Sequence, residues 1–194
     1  MRKIWLRRAV LFSSSLLFCI ISLPIRAQQS QTIKTETELI LALVKNSKEP
    51  KEITSLLHAN ASLVTDNLWE ILMGMAAQKF YQNSEQAFRL YDLAREVALQ
   101  LKDQRRLAKT YYDIARSYSG LGNYDSATAA YLESRKAFEA AASERDVIYI
   151  LADLGIVSLL QERYHDARQY SEASISLAEK IKDSTAPALS LIHI

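Results

Sequence analysis

GLGNYDSATAAYLES, Gly120–Ser134, is the stretch that decides the fold, because LQERYHDARQYSEAS, Leu160–Ser174, repeats its spacing forty residues later. Tyr124 corresponds to Tyr164, Asp125 to His165 and Ala127 to Ala167. Upstream, DIARSY (Asp113–Tyr118) corresponds to DLGIVS (Asp153–Ser158), which pairs Ala115 with Gly155. One step earlier, SEQAFRLYDLA (Ser84–Ala94) sets Ala87 forty residues before Ala127 and Tyr91 forty before Tyr131. A fixed period between about twenty and fifty residues marks a stacked-repeat architecture, in which each unit buries its neighbour's apolar side.

Outward from this core the pattern is helical. Leu39, Ile40, Leu43 and Val44 share a face after Thr35, and Pro50 suits the first turn of the next helix. Asp66 opens a segment in which Leu68, Ile71, Leu72, Met75 and Ala76 form a stripe, and Asn83 or Ser84 caps the following one. Further helices are predicted over 104–120, 124–141, 144–161 and 165–182, with breaks at GLGN (120–123), AASE (141–144) and QERY (161–164). Such short breaks force antiparallel neighbours. No segment alternates with period two, and the chain has only four glycines and three prolines. The expected fold is all-α, a right-handed superhelical array of antiparallel helical hairpins. Its expected divisions are an N-terminal helical segment (35–65), a degenerate repeat (66–106) and two better ones (107–146 and 147–186).

Within a hairpin two helices must approach closely, which calls for small residues at the crossing: Ala115 or Gly155 on the first helix, Ala87, Ala127 or Ala167 on the second. Tyr124 and Tyr164 fill the gap beside the turn, while Tyr91 and Tyr131 face the next hairpin. Each hairpin leaves one apolar side for its successor to cover.

YDIARSYSGLGNYDSATAAYLES resembles a tetratricopeptide repeat, with aromatic–x–x–Ile–Ala–x–x–Tyr, then Leu-Gly-Asn-Tyr, then Ala–x–x–x–Tyr. Residues 108–138 carry the resemblance best, and 148–178 follow with Ser158 and Ser171 in place of aromatics. The forty-residue period is similar to that of the longer-helix variants of the family. The resemblance implies a protein- or peptide-binding scaffold whose inner wall is made by the first helix of each hairpin. On that wall the register places Trp69 and Met73, then Tyr112, Asp113 and Arg116, then Tyr149, Asp153 and Ile156. The family's carboxylate clamp uses Asn where Asp113 and Asp153 stand, so a carboxylate ligand is not expected. An apolar or basic segment suits this wall, and packing between hairpins is the other use open to its aromatics. SLLHANASLVTDNLWEIL (Ser55–Leu72) resembles the entry segment of bacterial proteins that end in a caspase-like domain of the CHAT type.

The amino terminus reads as an export signal: MRKIWLRR, the apolar run AVLFSSSLLFCIISL, and a small residue at Ala27. Residues 28–34 are polar and read as a disordered linker. Five of the 24 Lys and Arg lie in residues 1–27 with no acidic residue, so the remainder carries 19 basic against 22 acidic residues, a net charge of −3. Nucleic acid is therefore not an expected partner, and the expected location is periplasmic or extracellular. Cys19 is the only cysteine and falls in the signal, which leaves the exported part without a disulfide framework.

Chemistry is not expected in this chain. His58 lacks a Glu–x–x–His partner, His165 stands where Asp125 does, and His193 lies at the extreme end. No phosphate loop and no Gly-x-Ser-x-Gly elbow is present. The reading is of a non-enzyme without catalytic, metal or cofactor residues. Residues 187–194 correspond to the start of a further repeat, eight residues being too few for a whole helix, and LSLIHI also resembles translated sequencing adapter. The chain is thus read as the N-terminal piece of a longer protein. Three roles stay open: a binding scaffold, the sensing region of a membrane histidine kinase, or the regulatory half of a CHAT-type protease.

Overall fold

The computed structural model describes residues 33–181; residues 1–27, read above as an export signal, with Cys19, most of the polar stretch 28–34 and the carboxy-terminal stretch with His193 lie outside the described residues. Thr35 opens the first helix by accepting a hydrogen bond from the Glu38 amide, giving α1 (Glu36–Lys45). Pro50 occupies the first turn of α2 (Pro50–Ala59), and a short 3₁₀ turn (Ala61–Leu63) leads on. Thr65 caps α3 (Asp66–Phe80). Then come α4 (Ser84–Leu101), α5 (Gln104–Gly120), α6 (Tyr124–Ala140), α7 (Glu144–Leu160) and α8 (Tyr164–Ile181). No strand occurs among the described residues.

The turns keep a strict count. Backbone with positive φ occurs at Lys102, Gly122, Ala142 and Glu162, one every twenty residues. At each, the amide of the next residue reaches back to the last helical turn: Asp103 to the Ala98 carbonyl at 3.1 Å, Asn123 to Tyr118 at 3.0 Å, Ser143 to Phe138 at 3.0 Å and Arg163 to Ser158 at 2.9 Å. This is the left-handed helix stop that satisfies carbonyls left open at a carboxy-terminal end. The residue that closes one helix then starts its successor. Asn83, Asp103 and Asn123 each accept from the amide three residues on, at 3.0, 2.9 and 3.2 Å. Two helices of this length and their two turns make the forty-residue period seen in the sequence.

Helices pack in adjacent pairs, α3 with α4, α5 with α6 and α7 with α8. Small residues hold the crossings: Ala87, Ala115 and Ala127 are fully buried, and Gly155 is buried. A second device recurs at the same register. Ser134 Oγ donates to the Ala108 carbonyl at 2.8 Å, and Ser174 Oγ to the Ile148 carbonyl at 3.0 Å, both buried. In the α3–α4 pair fully buried Ala94 takes that place. One core runs from Leu39 in α1 to Val157 in α7. The α1–α2 segment joins it through Leu39, Leu43, Ile53 and Leu57, with Glu36 accepting hydrogen bonds from Thr65 and Asn67 and Gln100 donating to the Leu57 carbonyl. No helix among the described residues is long and apolar enough to cross a membrane.

Candidate functional site

The first helices of successive hairpins meet one another. Between α3 and α5, the Trp69 indole donates to Thr110 Oγ1 at 2.9 Å, and the Arg106 guanidinium lies over the same ring at 5.6 Å while pairing with Asp66 at 2.9 Å. Between α5 and α7, Arg105 donates to Ser143 Oγ at 2.8 Å, and Tyr112 approaches Asp153. Trp69 and Met73 are each only 7 % exposed. They pack between helices and present no wall to a ligand. Their burial follows from the register, since the next hairpin is laid over this part of α3.

The other six residues named from the sequence fall on α5 and α7, and the structure groups them in two ways. Tyr112, Asp113, Arg116 and Asp153 form a linked cluster. The Tyr112 and Tyr131 rings lie 5.9 Å apart, and the Arg116 guanidinium sits 5.7 Å over Tyr112. The hydroxyls of Tyr112 and Tyr131 face the Asp153 carboxylate. Burial pushes that carboxyl above its ordinary range, against the opposing pull of Tyr112, Arg116 and Tyr131. Burial, and then the charge of Asp153, push the Tyr112 phenol up to about 12. Asp113 is raised by burial too, opposed by Lys109 at 3.5 Å and by Arg116. Tyr91 stands by Asp113 as Tyr131 stands by Asp153, forty residues on. The Tyr131–Asp153 pair therefore links the second helix of one hairpin to the first helix of the next, while Tyr91 makes the corresponding link through Ser117. Both carboxylates are engaged within the protein.

Tyr149 and Ile156 form the second group. They lie seven residues apart on α7, 36 % and 42 % exposed, with Leu160 continuing the line at 51 %. In the forty-residue register, exposed Lys109 and Arg116 of α5 hold the places that Tyr149 and Ile156 hold on α7, so the same positions are cationic on one helix and apolar or aromatic on the other. Among the described residues no group of His, Cys, Asp and Glu could hold a metal ion, and the cavity lined by Val44, Asn83, Arg89 and Leu93 lies between α1 and α4. Sequence reasoning missed Thr110, Arg106 and the two buried serines. Ser134 and Ser174 were visible in it, being forty residues apart, whereas the Trp69–Thr110 contact has no repeat-equivalent pattern to mark it.

The residues named for packing follow the register, with one exception at its end. Ala87, Tyr91, Ala115, Ala127, Tyr131 and Gly155 are buried, and Tyr124 packs against the core. Ala167 is only half-buried and Tyr164 is 66 % exposed, because nothing described lies over α8 as α7 lies over α6.

No family model matches this chain, and no curated protein does. Among solved structures it is similar to the crystal structure of BtubC (BKLC) from P. vanneervenii, with a TM-score of 0.57 and 19 % sequence identity. The likeness covers 79 % of this chain and 62 % of that one, so the chain spans less than two thirds of that protein's length. At this identity the likeness is one of fold: among the described residues, eight α-helices, the later ones packed in adjacent pairs, similar to a helical protein.

Proposed function

We propose that this chain is an exported helical-repeat module of the tetratricopeptide kind, which binds an apolar segment of a protein or peptide along the wall built by α5 and α7. The observation that carries the reading is the exposed line Tyr149–Ile156 on α7, a helix whose Asp153 faces Tyr112 of α5. Exposed aromatic and branched side chains on a rigid helix offer large contact area at low entropic cost, which is how groove-binding scaffolds hold peptides. Asp113 and Asp153 support an apolar rather than a basic ligand, since Lys109, Arg116 and the tyrosine hydroxyls already occupy them. The forty-residue register, the paired helices and the motif at 108–138 support the family.

The test is a peptide library panned against the purified protein, followed by titration of the selected sequences. Tyr149→Ala with Ile156→Ala should weaken the selected peptides tenfold or more, while leaving helical circular dichroism unchanged; truncating anchor residues at interfaces costs about 1 kcal/mol or more each. Equal binding by that double variant would remove the site. Tyr112→Ala is the companion, and loss of fold there would assign Tyr112 to packing alone.

A further inference from the structure

Two stripes of side chains are joined at their middles. Helices α5 and α7 start side by side, where Arg105 donates to Ser143 Oγ at 2.8 Å, and further along the Tyr112 hydroxyl faces the Asp153 carboxylate. Lys109 and Arg116 stand three residues before and four after Tyr112, on the face of α5 that carries it. Tyr149 and Ile156 flank Asp153 on α7, four residues before it and three after. All four are exposed, so neighbouring helices offer a cationic stripe and an apolar one, the members of each seven residues apart. The carboxylates of these two faces, Asp113 and Asp153, are half-buried and engaged within the protein. Lys109 keeps its side chain 56 % exposed although it lies 3.5 Å from Asp113. The charge that this patch turns to solvent is positive.

We infer that the segment bound here is an acidic amphipathic helix, laid along α5 and α7 with its carboxylates toward Lys109 and Arg116 and its apolar side on Tyr149 and Ile156. The inference rests on the reading of the α5–α7 wall proposed above and adds the charge and conformation of its ligand. Complementarity to the exposed cations selects the acid. The spacing selects the helix. Seven residues of α-helix advance about 10.5 Å and return to nearly the same face, so a helix laid alongside repeats its contacts in step with both stripes. An extended strand returns to one face after about 6.6 or 13 Å and matches neither. Apolar anchors two turns apart are the way an amphipathic helix enters a groove. A terminal carboxylate held at positions 113 and 153 is still not expected, because the contacts go to Lys109 and Arg116.

The experiment titrates the purified protein with three synthetic peptides of about twenty residues, long enough to form a helix. One carries a leucine stripe flanked by glutamates, the second has lysine for every glutamate, and the third is the acidic peptide with a central proline. The acidic peptide should bind about tenfold more tightly than either of the others, and should weaken as salt is raised. Lys109→Gln with Arg116→Gln should weaken it about tenfold and remove most of the salt dependence, with circular dichroism checking the fold. Tyr149→Ala with Ile156→Ala should weaken it at every salt concentration. Equal binding of the acidic and basic peptides, or binding indifferent to salt, would overturn the inference whatever the variants do. Equal binding of the proline peptide would overturn it too, by showing an extended ligand. In these cases panned peptides that still depend on Tyr149 and Ile156 would leave the wall itself standing. If none depends on them, the wall and the inference fall together.

Discussion

Lys102, Ala142 and Glu162 hold a backbone conformation that costs an L-residue about 1 kcal/mol, while Gly122 adopts it without strain at the equivalent turn. Glu162→Gly should therefore raise stability by up to about 1 kcal/mol, and Gly122→Ala should lower it by about the same amount, as measured by urea denaturation. No atom lies within 4 Å of the position a Gly122 side chain would take, so any loss there is backbone strain alone. Titration belongs to this scale too. Burial raises Asp113 and Asp153 above 3.8, so each favours folding most when protonated. Their contribution is fully present below 3.8 and is lost as pH rises through the raised values. Asp103 is shifted the other way, chiefly by the Arg106 amide that it caps, so its contribution is present above 3.8 and is lost as pH falls through its lowered value. Stability should consequently rise as pH is brought down from neutrality toward 4, then fall in stronger acid. Replacing both Asp113 and Asp153 with Asn should flatten the first limb in a pH series of denaturation midpoints and leave the second in place.

Pairs of helices meet over a few chosen side chains, and their replacement has calculable effects. Ala127→Leu forces a larger group into the crossing where Ala115 is also fully buried, and should cost about 1–3 kcal/mol. Ser134→Ala removes the buried bond to the Ala108 carbonyl and should cost about 1 kcal/mol, with Ser174→Ala costing less if the α7–α8 pair frays before the rest unfolds. Calorimetry on the three variants would separate these cases. Helix positions were legible in the sequence at this scale because caps and turn residues are local: Thr35, Pro50, Thr65 and Asn123 act within a single turn of chain. The candidate wall was legible only in part. The register said correctly which positions lie on first helices, yet it could not say which of them a neighbour covers. Trp69 and Tyr149 occupy the same register position, and their difference in burial comes from what lies next to each, which no local pattern records.

Across the whole molecule, the order of protection should follow the order of coverage. Helices α5 and α6 are packed against helices on both sides, whereas α8 is packed chiefly against α7 among the described residues. Hydrogen exchange in dilute, monomeric protein should be slow over 104–140 and faster over 164–181; equal protection through Ile181 would mean that α8 is covered in the monomer. The pairing of adjacent helices could be read from the sequence, because a repeated spacing implies repeated contacts. The equal count between turns has a consequence for how such a chain can change its length. Asp103 and Ser143 are equivalent points, each directly following a left-handed residue and directly preceding a first helix. Excising residues 104–143 joins Asp103 to Glu144, and every helix stop, cap and crossing on either side keeps its partner in kind. A cut of thirty-eight or forty-two residues changes the face that the following helix presents across the junction, since each residue turns a helix by about 100°. The molecule is in this sense written in units of forty, able to shorten or lengthen by whole hairpins where a change of one residue would be resisted.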